Sequence, residues 1–110
     1  MTQGLERCLF LYPPQAWEAL AAKLETLPLT NKAEARAFRR TLLAGATEAE
    51  ADSQGRILLP QLLKEYSDIR RDAVVIGVLQ HVEIWSKERW ETYRKKARQT
   101  FEKAASHLAL

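Results

Sequence analysis

The chain has 110 residues, 46% hydrophobic and 28% charged, enough for one globular domain, or for one domain with a fragment of another. No apolar run reaches the length of a membrane span, and Glu6 and Arg7 interrupt the N-terminus too early for a secretory leader, so a cytosolic protein with no membrane partner is expected. The net charge of +3 and a pI of about 9.2 hint at an acidic partner, while the single Cys8 excludes an intrachain disulfide and any cysteine-based metal spacing.

In chain order, Cys8–Tyr12 is an apolar run closed by Pro13-Pro14 and reads as a strand; Cys8 within it reads as a buried, inert thiol. Pro14 suits a first helical turn. Trp17, Leu20, Ala21, Leu24 and Leu27 then follow at helical spacing, and Leu27–Thr30 ends that helix. Asn31 with Glu34 makes a capping pair for a second helix, with Ala35, Phe38 and Leu42 as its buried stripe and Gly45 as its stop. Arg36, Arg39 and Arg40 lie near one face of it, as surface charge or as candidate phosphate contacts.

Thr47, Ala49 and Ala51 alternate with Glu48, Glu50 and Asp52, which predicts a strand with a small buried face and an acidic outer face. Glu48, Glu50 and Asp52 are read as a solvated face and not as a metal site. Asp52-Ser53-Gln54-Gly55 is turn chemistry, since Asp hydrogen-bonds the backbone ahead of it and Gly accepts a positive φ. Ile57-Leu58-Leu59 returns as a second strand stopped by Pro60, which leaves Arg56 at the mouth of a hairpin.

Beyond the hairpin, Gln61–Tyr66 is expected as a short helix with Leu62, Leu63 and Tyr66 inward, followed by a polar loop at Arg70, Arg71 and Asp72. Ala73–Leu79 is expected as a buried strand, linked tightly through Gln80-His81 to Val82–Trp85. Ser86 caps a last helix with Glu88 in its first turn, and Trp90, Tyr93, Ala97, Phe101 and Ala104 form its apolar stripe. The basic surplus is in this helix. From Ser86 onward seven Lys or Arg face three Glu, whereas the preceding residues hold ten against eleven acidic groups. Arg94, Lys95, Lys96 and Arg98 are therefore candidate phosphate contacts, against the plainer reading of a solvated face.

Nothing in the sequence assembles a catalytic constellation. There is no H-E-x-x-H, no phosphate-cradling glycine loop and no G-x-S-x-G, and neither His81 nor His107 pairs with Cys8 or a serine in a nucleophile pattern. No enzymatic activity, cofactor, metal or small-molecule substrate is expected.

An internal repeat is more informative. At a shift of 73 residues Gly4 falls on Gly77, Leu5 on Val78, Leu9 on Val82, Leu11 on Ile84, Tyr12 on Trp85, Trp17 on Trp90 and Glu18 on Glu91. Asp52–Ile76 precedes the second glycine, and nothing comparable precedes the first. The strand at Cys8–Tyr12 is thus expected to lack its upstream neighbour, to carry an open edge and to drive self-association.

The run Asp52–Pro60 (DSQGRILLP), with Val74-Val75-Ile76-Gly77-Val78, His81-Val82-Glu83-Ile84-Trp85 and Glu88-Arg89-Trp90, closely resembles the C-terminal half of MraZ-family regulators. The resemblance implies an α+β fold of the SpoVT-AbrB type, a small swapped-hairpin sheet or barrel with surrounding helices. It divides the chain into a remnant of a first unit (1–45), a complete second unit (46–91) and a basic amphipathic helix (92–110). It implies a sequence-specific transcriptional regulator of the promoter of the division and cell-wall gene cluster, acting in the cytoplasm at the nucleoid as a homo-oligomer on double-stranded DNA. It assigns the contact to Asp52, Gly55 and Arg56, the turn of a D-x-x-x-R hairpin. The alternative is an oligomerisation or partner-binding module with little DNA binding.

Overall fold

The computed structural model describes all residues, Met1–Leu110. The elements in order are β1 (Thr2–Gln3), β2 (Leu9–Leu11), α1 (Pro14–Glu25), α2 (Lys32–Ala44), α3 (Gln61–Ser67), β3 (Ala73–Val78), β4 (His81–Ser86) and α4 (Lys87–His107). The strands form one antiparallel sheet in the order β1-β2-β4-β3. The α+β class is as expected.

Local chemistry sets the helix starts. Pro14 opens α1, where a missing N–H costs nothing. Asn31 Oδ1 accepts from the Ala33 and Glu34 amides at 2.9 and 3.2 Å to start α2, and Ser86 Oγ accepts from the Arg89 amide at 3.0 Å to start α4. α2 ends at Ala44, before Gly45.

Strand alternation divides the sheet into two faces. Leu9, Leu11, Val82 and Ile84 share one face and pack with Met1, Leu63 and Ile69, and with Ala49, Ile57, Leu59 and Tyr66 at the margin. The other face is aromatic. His81 lies against Phe10 (4.6 Å between ring centroids) and Tyr12 (5.2 Å), Tyr12 against Trp17 of α1 (5.9 Å), and Trp85 against Trp90 of α4 (5.4 Å). Glu83 accepts from the Trp85 indole at 3.0 Å and lies 3.3 Å from His81 Nε2, which satisfies a half-buried carboxylate.

The repeat reappears as symmetry. β2 and β4 pair with Leu9 opposite Ile84, Phe10 opposite Glu83 and Leu11 opposite Val82. Under the 73-residue shift the Leu9–Ile84 and Leu11–Val82 pairs exchange, and the central Phe10–Glu83 pair maps onto itself. The β2–β4 ladder is therefore locally two-fold symmetric, whereas the outer pairs differ by one residue of register: Thr2 lies opposite Phe10, but Val75 lies opposite Ile84 and not Glu83.

Four expectations are corrected. First, the arms of the hairpin at Ala46–Asp52 and Ile57–Leu59 are extended but are not strands of any sheet. A two-stranded hairpin is marginal by itself, and here the arms make other contacts. Thr47 exchanges two backbone hydrogen bonds with Met1 (2.8 and 2.9 Å), and Ala49, Ile57 and Leu59 all pack at the margin of the core. The expected burial alternation fails with it, since Thr47 and Ala51 are exposed. Second, β3 is not a buried strand. It forms the sheet edge, and Val75 is 67% exposed; it ends at Val78, and Leu79-Gln80 form the tight link, with Leu79 at φ +55°. Third, β2 has no open edge, because β1 lies on one side of it and β4 on the other. Fourth, three stripes bury less than their spacing implies. Leu62, Phe38 and Phe101 are exposed beside buried Leu63, Ala35 and Leu42 and half-buried Ala97.

Candidate nucleic-acid interface

The Asp52–Arg56 turn is built by one carboxylate. Asp52 Oδ1 accepts from the amides of Gln54 and Arg56, both at 2.9 Å, and Oδ2 accepts from Arg56 Nε at 2.9 Å. The backbone closes the same loop, with the Asp52 amide donating to the Arg56 carbonyl (2.8 Å) and the Gly55 amide to the Asp52 carbonyl (3.0 Å). Gly55 stands at φ +81°, in the left-handed region that a side chain would strain. The Arg56 amide donated to Asp52, then the Arg56 guanidinium, then the Gln54 amide hold the Asp52 carboxyl below its ordinary range, because all three donors favour the ionised form.

The consequence for Arg56 is geometric. Its side chain is 72% exposed, yet its guanidinium is fixed from one side. A guanidinium carries five N–H donors in a planar fork. With Nε engaged by Asp52, the remaining donors are those of the two terminal nitrogens, which make no hydrogen bond within the chain and form a two-pronged end. That end matches the O6 and N7 acceptors of a guanine in the major groove, or two oxygens of a phosphate. Asp52 thus both caps the turn and holds the guanidinium. Glu48 and Glu50, exposed on the approach arm, add negative charge beside it.

The other candidate cations do not join this group. Arg39 Nη1 donates to the Leu24 carbonyl at 3.3 Å and ties α2 to α1, while Arg36 and Arg40 are exposed on α2. On α4, Arg94 pairs with Glu91 at 2.9 Å, and Lys95, Lys96 and Arg98 are exposed. No hydrogen bond or ion pair links these helices to the Asp52–Arg56 turn. A structural role that the sequence did not disclose falls to Arg7, whose Nε donates to the Tyr66 carbonyl at 2.6 Å with its guanidinium over the Tyr66 ring, while the Tyr66 hydroxyl donates to the Gly4 carbonyl at 2.6 Å. These bonds fasten α3, the next element after the hairpin, to the β1–β2 turn.

The class defined by these features is a small α+β protein with a four-stranded antiparallel sheet, a locally two-fold β2–β4 ladder at its centre and one solvent-facing arginine turn held by a carboxylate. Comparison with known proteins places it more closely. A family model described as "MraZ protein, putative antitoxin-like" matches residues 1–40 and 42–110. The chain is 53% identical over 108 residues to the transcriptional regulator MraZ of Thermoanaerobacter sp. (strain X514), spanning 98% of this chain and 75% of that protein. It is 48% identical over 107 residues to the transcriptional regulator MraZ of Natranaerobius thermophilus, spanning 97% and 74%, and 56% identical over 95 residues to that of Clostridium beijerinckii, spanning 86% and 66%. The chain belongs to the MraZ family.

Proposed function

We infer that this chain is a DNA-binding transcriptional regulator and that Arg56, set by Asp52 and Gly55, is the group that reads the double helix. The observation that carries the reading is the pairing of high exposure with fixed orientation. Arg56 is an exposed arginine whose Nε is held at 2.9 Å by a carboxylate that also caps its turn. Such an arrangement presents two donors at little further cost in side-chain freedom. A cation serving solubility alone needs no such support.

The same geometry argues for several copies acting together. Asp52 cancels part of the Arg56 charge, and Glu48 and Glu50 repel phosphate, so the non-specific attraction that dominates most DNA affinity is weak at one turn. Linked copies on one duplex raise affinity without any new contact. The functional form is accordingly a homo-oligomer that places several turns on repeated sites. The target suggested by the family resemblance is the promoter of the division and cell-wall gene cluster. The fold reading is two SpoVT-AbrB units with swapped hairpins, the first represented by residues 1–45 and the second by 46–91, and then the helix of 92–110. The symmetric β2–β4 ladder supports it. The cations of α4 stay outside this interface, because Arg94 is paired and an apolar stripe interleaves the rest.

The test is binding of the purified chain to a duplex carrying that promoter against a scrambled duplex of equal length. Arg56→Ala should abolish the preference for the promoter while leaving the melting curve in place. An unchanged preference would remove Arg56 from the interface.

A further inference from the structure

We propose that Gln54 is a second base-reading residue of the turn and that it recognises an adenine within about two base pairs of the guanine held by Arg56, an inference that rests on Arg56 as the reader of the double helix.

The first observation is the place of Gln54 in the turn. Asp52 Oδ1 accepts from the backbone amides of both Gln54 and Arg56, each at 2.9 Å, so one oxygen fixes the two backbone positions relative to each other. Ser53, Gln54, Gly55 and Arg56 are all exposed. The backbone N–H of Gln54 is engaged by Asp52, and its side-chain carboxamide bonds nothing in the chain. Gly55 stands between the two side chains at φ +81°, and a Cβ placed there would meet no atom within 4 Å. The surface between Gln54 and Arg56 is therefore open backbone, which a base edge can approach closely.

The second observation is spacing. Cα atoms two residues apart are separated by at most about 7 Å, and successive nucleotides of one strand rise by about 3.4 Å along the duplex. With Arg56 on a guanine, Gln54 is therefore set beside the same base pair or one of the next two. The pair that holds the guanine contains no adenine, so the base read by Gln54 belongs to a neighbouring pair.

Chemistry selects that base. A carboxamide carries an acceptor and a donor side by side. In the major groove adenine presents the complement, the N6 amino group as donor and N7 as acceptor. Guanine presents two acceptors and leaves the carboxamide oxygen unmatched, thymine presents an acceptor beside a methyl group, and cytosine presents a donor alone. Ser53, the other polar side chain at the tip, bonds any base or a phosphate and discriminates little. A neutral carboxamide adds nothing to phosphate attraction, so at a turn flanked by Glu48 and Glu50 the gain from Gln54 is in selectivity.

The test uses the purified full chain and the promoter duplex, with single bases replaced in turn and fluorescence anisotropy as readout. A guanine whose 7-deaza analogue, lacking the N7 acceptor, weakens the parent but not Arg56→Ala marks the Arg56 contact. Within about two base pairs of it, 7-deazaadenine should weaken the parent at least about fivefold and leave Gln54→Ala unaffected. Gln54→Glu should move the preference at that position from adenine to cytosine, because a carboxylate accepts from the cytosine N4 amino group. Both variants should keep the guanine preference and the melting curve, since the backbone amide that Asp52 holds is retained. Gln54→Ala that reads every position as the parent does would overturn the assignment. So would a uniform loss on all duplexes, which would make Gln54 a phosphate contact, or loss of the guanine preference along with the adenine one, which would make it a residue that shapes the turn. Each of these leaves the role of Arg56 standing. If no guanine is sensitive, or if Arg56→Ala keeps that sensitivity, the reading of Arg56 fails and the assignment of Gln54 fails with it.

Discussion

Replacing Asp52 by asparagine separates an arginine that reads a base from one that merely attracts phosphate. The amide keeps one oxygen in place of Oδ1, so the two 2.9 Å bonds from the Gln54 and Arg56 amides survive and the turn retains its shape. Its nitrogen replaces Oδ2 and is a donor, so it cannot accept from Arg56 Nε. The guanidinium is released and the site gains one net positive charge. Two opposite effects should result. A well-placed bidentate base contact discriminates by about 1–3 kcal/mol, or roughly 5- to 140-fold at about 1.4 kcal/mol per tenfold. Arg56→Ala should lose that range at each engaged site, and Asp52→Asn should lose part of it through misorientation alone. Over the same series, overall attraction to any duplex should rise for Asp52→Asn, and the slope of log affinity against log salt should steepen by up to about 0.9. Fluorescence anisotropy with promoter and scrambled duplexes, over roughly 50–200 mM salt, reads both quantities at once. If Asp52→Asn discriminates as well as the parent while Arg56→Ala does not, the held geometry is irrelevant to reading. If Arg56→Ala also binds as the parent does, the turn is not the interface.

Four further outcomes are expected. A methyl group added at Gly4 would fall 2.5 Å from Cδ1 and 2.9 Å from Cγ of Phe10, whose ring also packs on Tyr12 and His81, so Gly4→Ala should destabilise the fold by about 1–3 kcal/mol in urea titration; an unchanged midpoint would mean the ring moves freely. Burial first, then the Glu83 and Glu6 carboxylates, push the Cys8 thiol up to about 12, so at pH 8 a thiol reagent should label it in denaturant and not in the native protein. The Asp52 carboxyl is lowered in the folded turn, so its contribution to the turn is fully present above the ordinary carboxylate range, about pH 4, and is lost as pH falls through the lowered value; NMR shifts of the Gln54 and Arg56 amide protons should stay flat down to that range and move below it, and a transition near neutrality would assign them to another group. Lys95→Gln, Lys96→Gln and Arg98→Gln together should leave the salt slope of DNA binding unchanged, whereas a loss of about 0.9 per residue would make them phosphate contacts.

The features legible in the sequence are mostly those that a few neighbouring residues decide. Asn31, Ser86, Pro14 and the Asp52–Gly55 turn act within one helical turn or one loop, and each is where its chemistry predicts. The arms of the hairpin are misread from sequence because alternation records a preference for extended backbone but not the partner. Thr47 pairs with Met1, 46 residues away, and nothing local announces that pairing. The strand β3 carries Val74, Val75 and Ile76 and reads as interior, but its place in the sheet order leaves it at the edge. The neighbour of β2 escapes a sequence reading because β1 is two residues long. The repeat does contain the signal, since Thr2 and Gln3 correspond to Val75 and Ile76 of β3. For the candidate site, the identities of Asp52, Gly55 and Arg56 are legible, but the choice of Nε as the held nitrogen depends on a side-chain geometry that no spacing rule contains.

The two halves diverge at the end of the first helix in each. α1 stops at Glu25, ahead of Leu27-Pro28, where proline lacks an N–H and disfavours helix in the residue before it. The chain then turns, and Arg39 of α2 donates to the Leu24 carbonyl. At the corresponding place in the second half stand Thr100 and Phe101, which impose no such stop, and α4 continues to His107. The exchange of a proline for a phenylalanine has two effects together. It removes the stop that ends the first helix, and it places an exposed aromatic ring on α4. The β2–β4 ladder at the centre of the sheet is symmetric, yet α1 ends early and is tied to α2 through Arg39, while α4 runs on and leaves Tyr93 and Phe101 exposed. The only Asp-x-x-x-Arg turn lies on the connection between the halves, outside the symmetric ladder and away from that face in sequence. Substitutions on the exposed face of α4 and at Arg56 should therefore act independently on the protein.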